Sequence, residues 1–185
     1  MLSYASPFCA TAFLLAPTWH ILPALYSKYF GLELTVVAMV VLLSRIFDAI
    51  TDPLIGYLSN RHRLAGGSRK LWVAVGGALF VVSATLLFIP PNPVSVSYYL
   101  ICSFLFFASF TMVDIPHVSW GSEIATGYYE RAKIYSYRQG MASVGEILFN
   151  MMPFLMLYSV SEYTPEVIKW TSYLGALLML SLIHI

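Results

Sequence analysis

Apolar residues in this chain do not alternate with polar ones; they gather into unbroken runs separated by short polar or proline-rich punctuation. Runs of roughly twenty such residues suffice to cross a bilayer as helix. They are too long and too uniformly apolar for the alternating strands of a barrel, and lipid leaves no water to satisfy an open backbone. Five complete spans and a partial sixth are predicted, over 5–28, 34–58, 70–90, 96–124, 134–160 and 167–185. The stretch PPNP at 90–93 reads as a tight turn, and AGGSRK at 65–70 as a polar loop. Pro17, Pro23 and Pro153 fall inside predicted spans, where proline marks kinks packed against neighbouring helices.

Charges interrupt this pattern at few places. The stretch RIFDAITDP places Arg45, Asp48 and Asp52 in the second span, Asp114 and Glu123 fall in the fourth, and Arg138 and Glu146 in the fifth. A charge at the bilayer centre costs several kcal/mol, about 2.5–3.5 on insertion scales, so such residues normally face a bundle interior or an aqueous cavity. At about 100° per residue, Arg45, Asp48, Asp52, Gly56 and Ser59 fall within an arc of roughly 80°, a single polar stripe on an apolar helix. Gln139, Ser143, Glu146 and Asn150 form a comparable stripe on the fifth span, and the two are expected to face a shared interior. Two carboxylates one turn apart repel unless a cation or Arg45 neutralises them, which is the chemistry of a reversible ion site. Nearby hydroxyls, Thr51 and Thr111, could complete a Na⁺ site, and the same acids could instead hold a proton. The plainer reading of Arg45 and Asp48, at i and i+3, is a buried salt bridge that fixes helix packing.

Composition narrows the picture further. Of 185 residues, 59% are hydrophobic and 10% charged, and the mean hydropathy is +0.75, which excludes a soluble domain with its usual quarter of charged residues. A net charge of +1 with ten Lys and Arg in all argues against a nucleic-acid partner. Cys9 and Cys102 lie inside apolar runs and read as small core residues. No signal-peptide pattern opens the chain, so the first run is expected to remain as an anchor. Arg61, Arg63, Arg69, Lys70, Arg131 and Lys133 gather on one side and mark it as cytoplasmic, which places both termini there as well. The final LSLIHI also reads as the translation of a sequencing-library transposon end; a six-helix unit is expected over 1–179, with 180–185 an artefactual tail.

With these residues in place, the chain resembles a known family. RIFDAITDPLIGYLSNR, GSRKLW, TMVDIPHVSW and ERAKIYSYR are similar, in order and position, to the N-terminal half of the glycoside-pentoside-hexuronide:cation symporters, the melibiose-permease-like branch of the major facilitator superfamily. The resemblance implies an all-α membrane protein, a six-helix N-terminal bundle, whose C-terminal six-helix half is missing. It implies that Asp48 and Asp52 bind the coupling Na⁺ or H⁺ with Thr111, that Asp114 and Arg138 hold the solute, and that Arg45 stands beside the cation site. It also implies that Gly56, Arg61, Arg69 and Lys70 belong to a cytoplasmic gating motif. Ala12 and Val118 replace an acid and a tryptophan that contact galactosides in melibiose permeases, and Thr51 replaces a cation-site asparagine. Glu146 has no counterpart in the sugar-transporting members: it is a new coupling carboxylate or a packing residue bonded to Ser143 or Asn150. His20 and His117 are candidate solute donors or titrating gates, against the blander reading of locally satisfied histidines.

The expected function is therefore cation-coupled transport of a sugar or related solute by alternating access, in a bacterial inner membrane, with no cofactor other than the coupling ion and with the bilayer and the missing half as partners. A lysolipid carrier of the same superfamily is the alternative. An intramembrane aspartyl protease built on Asp48 or Asp52 with Asp114 is remote, because Tyr-Asp and Gly-x-Gly-Asp contexts are absent, and no nucleophile or zinc motif replaces them.

Overall fold

The computed structural model describes residues 2–125, 127–155 and 162–183. Within them the chain forms α1 (Leu2–Ala5), α2 (Pro7–Phe30), α3 (Leu34–Leu64), α4 (Arg69–Phe88), α5 (Val96–Ile124), α6 (Tyr128–Leu155) and α7 (Pro165–Ile183). Among the described residues there is no strand. The protein is an all-α bundle whose helices fall on the six predicted spans, with α1 and α2 together making the first; positions 156–160 of the fifth span and 184–185 of the sixth lie outside the described residues.

Helix ends follow local chemistry. Gly31 closes α2 with a left-handed φ of 72°, a conformation that costs a residue without Cβ nothing, and its N–H reaches Tyr26 O. Ser68 and Ser95 cap α4 and α5 by accepting from Lys70 N and Tyr98 N. The first span bends by 51° between Leu2–Trp19 and Ile21–Phe30. Pro23 explains the place, since it lacks the N–H that would bond Trp19 O, four residues back.

Two boundaries differ from the hydropathy reading. Helix α3 continues to Leu64, six residues past its apolar run, and α6 begins at Tyr128, six before its own. Hydropathy marks where lipid ends, whereas a helix continues into water as long as its backbone bonds close. By length and composition α3, α4 and α5 can each cross a membrane, and the bent first span makes a fourth. Helix α6 carries the polar stripe from Gln139 to Asn150 along its apolar body.

Helix α5 packs between α3 and α4, while α2 packs on α6 and α7, and α7 closes back on α4. The core between these layers is aromatic: Phe13, Tyr26, Phe80, Phe106 and Phe149 are fully buried. Tyr26 donates to Leu87 O at 2.7 Å and stacks on Tyr99. Missing Cβ atoms let the helices approach: one added at Gly76 would meet Met112 Cβ at 2.8 Å, and one at Gly145 would run into the Cys9 carbonyl. Outward, Leu71, Val75, Leu79, Val82 and Leu86 keep a continuous apolar face on α4. That face suits hydrocarbon rather than water.

Candidate functional site

The polar stripe of α3 leans against α5. Asp52 Oδ1 accepts from Thr111 Oγ1 at 2.8 Å, across the helix interface. The same hydroxyl lies 3.0 Å from Phe107 O, so one proton has two acceptors to choose between. One turn toward the start of α3, Arg45 Nη1 pairs with Asp48 Oδ2 at 3.1 Å. The guanidinium is held between two rings, 4.4 Å from the Trp19 centroid and 3.9 Å from that of Phe107. Arg45 Nε and Asp48 Oδ1 are nevertheless buried without a partner. Asp52 has no basic partner among the described residues.

One arginine thus serves two acids and pairs with Asp48 alone, while Asp52, exposed on the same stripe, leaves a surplus negative charge on this face of α3. Asp48, Asp52 and Thr111 supply hard oxygen donors, the type that a small hard cation takes, and either acid could equally hold a proton. Thr51 turns away from this group, because its hydroxyl bonds back to Phe47 O at 3.1 Å on its own helix.

Asp114 follows Thr111 by three residues and so lies on the same face of α5. Its Oδ1 pairs with Arg138 Nη2 of α6, and the guanidinium lies over the Phe8 ring at 3.5 Å. Arg138 Nε, too, is buried and unpartnered. Phe8, Asp114 and Arg138 bring three helices together around one ion pair with hydrogen-bonding capacity to spare.

His117, 1% exposed, continues the same line of α5. Its Nε2 donates to Tyr4 O at 2.8 Å, while Tyr4 Oη donates to His117 O at 2.7 Å and the rings stack 4.1 Å apart. This reciprocal bond fixes the tautomer and leaves Nδ1 bare, buried and without a partner. Gly121 makes room for Tyr4, since a Cβ there would collide with the phenol oxygen. The side chain of His20 lies outside the described residues. Glu146 is exposed, and Asn150 bonds its backbone carbonyl at 2.9 Å rather than its carboxylate.

At the other end of α3 a second cluster forms. Arg69 Nε and Nη2 grip Glu123 Oε1 at 3.0 and 2.9 Å, Arg63 Nε reaches the same oxygen at 2.7 Å, and Arg69 also holds Asn60 Oδ1 at 3.2 Å. The gating residues expected here divide. Arg69 is in the latch; Arg61 is exposed beside it, and Lys70 lies over the Trp120 ring at 5.3 Å. Gly56 faces Ile115 with ordinary clearance, 3.6 Å from an added Cβ to Ile115 Cγ2. Sequence reasoning missed Arg63 as the second grip on Glu123, and it missed Phe8, Trp19 and Phe107 as supports for the two arginines. In a chain with 12 Phe, 13 Tyr and 4 Trp, three aromatics carry no signal of their own.

An apolar helical bundle with sparse, partly paired interior charges defines an integral, multi-pass membrane protein. The comparisons narrow the class. Residues 3–185 match the family described as MFS/sugar transport protein, and the chain belongs to it, as the glycoside-pentoside-hexuronide:cation symporter motifs implied. It is similar to YagG of Escherichia coli (strain K12), provisionally named a glycoside/cation symporter, with 26% identity over 176 residues, 94% of this chain and 37% of that protein. It is also similar to the inner membrane symporter YicJ of the same strain, with 30% identity over 138 residues, 71% of this chain and 30% of that one. An uncharacterized symporter of Synechocystis sp. (strain ATCC 27184 / PCC 6803 / Kazusa), sll1374, shares 29% over 127 residues, 64% of this chain and 23% of its own length. The chain therefore spans less than two fifths of the length of these relatives. Its family is one of transporters, not enzymes.

Proposed function

We propose that this chain forms one half of a cation-coupled symporter for a sugar or glycoside, working by alternating access in a bacterial inner membrane with both termini cytoplasmic. The observation that carries the reading is the juxtaposition on α5: Thr111 reaches the acidic stripe of α3, and Asp114, one turn on, reaches Arg138 of α6. The coupling Na⁺ or H⁺ is bound by Asp48 and Asp52 with Thr111, and the solute hydroxyls are held by Asp114 and Arg138. Because both sites draw on one face of one helix, filling either biases the position of α5, and the other site feels it; such coupling is reciprocal. The exposed stripe of Gln139, Ser143 and Glu146 lines the cavity that a second six-helix half completes. The names of YagG and YicJ support symport, and that of YagG supports a glycoside.

The test uses the full-length carrier in vesicles with an imposed Na⁺ or H⁺ gradient. Asp52→Asn is expected to insert normally and to abolish uphill accumulation. Undiminished accumulation by that variant removes Asp52 from the coupling site, and the gradient that drives the parent protein names the ion.

A further inference from the structure

A cavity of about 590 Å³ opens between the cytoplasmic end of α3 and the start of α4, lined by Leu58, Arg61, His62, Leu71, Trp72 and Met112, among others. It opens on another side of α5 from the Asp114–Arg138 pair, Met112 being about 200° around the helix from Asp114, and none of its lining residues is acidic. Its size is that of an ordinary small-ligand pocket, about 300–1,000 Å³. Its walls are hydrocarbon and aromatic, and its depth in the bilayer can be read from the chain: α3 turns polar after Leu58 and α4 turns apolar at Leu71. The cavity therefore straddles the boundary between acyl chains and headgroups.

The charges at its mouth decide the occupant. Arg61 and His62 are among its lining residues, and none of those residues is acidic. The carboxylate of Glu123 is taken up by Arg63 and Arg69. Arg61 has no acidic partner among the described residues and lines the cavity directly. Beside it, Trp72 Nε1 donates to His62 Nδ1 at 3.2 Å, which leaves the ring proton on Nε2 as a further donor at the same wall. We infer that this groove binds one membrane phospholipid with an anionic headgroup, its acyl chain along Leu58, Leu71, Trp72 and Met112 and its phosphate on Arg61. A surplus of positive charge above an apolar slot selects that chemistry over a neutral lipid or a soluble solute.

Trp72 reports occupancy directly. The full-length carrier is placed in phosphatidylcholine nanodiscs containing a rising fraction of lipid brominated on its acyl chains, and Trp72 emission is taken as the difference from Trp72→Phe. Brominated phosphatidylglycerol is expected to quench Trp72 at a fraction about fivefold lower than brominated phosphatidylcholine, the preference that one headgroup-facing basic residue supplies. Arg61→Ala should erase the difference while quenching by the neutral lipid persists, and Arg61→Lys should restore it. Arg61 is exposed, so these variants leave the core untouched. Equal quenching by both lipids in the parent protein would mean ordinary boundary lipid and would overturn the inference. So would an absence of quenching, which would mean that protein covers the groove, or a preference that survives in Arg61→Ala.

Discussion

At the residue scale, the interior arginines are held by aromatic faces as much as by acids. Arg45 lies between Trp19 and Phe107, and Arg138 lies on Phe8, yet each leaves its Nε without a partner. Leaving a buried donor unmet costs about 1–3 kcal/mol, so an acceptor that reached either Nε would be favoured. In the function proposed above, a solute hydroxyl is that acceptor for Arg138. Arg138→Ala is expected to weaken solute binding more than cation binding in equilibrium titrations of the full-length carrier, and the opposite ranking would reverse the assignment. Tyr4 offers a separate check, because its hydroxyl contributes one bond, to His117 O. Tyr4→Phe should lower the thermal unfolding midpoint by an amount equivalent to about 1 kcal/mol, with insertion unchanged. Asp114, Arg138, Asp48 and Asp52 were legible as candidates because charge in an apolar run is conspicuous. Phe8 and Phe107 were not, because an aromatic there looks like any other packing residue.

At the element scale, small residues decide how closely helices pass. A Cβ at Gly145 would collide with the Cys9 carbonyl and come within 3.0 Å of Phe13 N, both backbone atoms of α2 that cannot move alone. Gly145→Val is therefore expected to push α6 from α2 and to cost about 1–3 kcal/mol, read as a lower thermal midpoint in detergent. Gly56→Ala is the contrast: the new methyl meets Ile115 Cγ2 at an ordinary 3.6 Å, and the midpoint should stay within error of the parent. Helix positions were legible from the apolar runs, while their ends beyond the lipid boundary were not, since α3 and α6 extend into polar sequence where hydropathy is silent.

At the scale of the whole molecule, the latch of Arg63, Arg69, Asn60 and Glu123 ties the loop between α3 and α4 to the end of α5. Glu123→Gln removes the charge that both arginines share. In inside-out vesicles of the full-length carrier, trypsin is expected to cut after Arg63 or Arg69 several-fold faster in that variant than in the parent; equal rates would show that the loop is held by other contacts. The resemblance implied Arg61 and Arg69 for this motif; Arg69 grips Glu123, and the second arginine on it is Arg63 rather than Arg61. The two are about 200° apart around α3, so only the position of the end of α5 determines which one meets Glu123. The chain alone determined that most of it lies in lipid as helix, which segments do so, and which few charged groups must be sheltered, because transfer from water to hydrocarbon acts on each residue wherever its neighbours are. Tertiary structure decided the pairings: Thr111 with Asp52, Arg138 with Asp114 over Phe8, Tyr4 with His117. Those depend on distances of a few ångströms between helices far apart in sequence, and hydropathy, which has no direction around the helix axis, does not encode them.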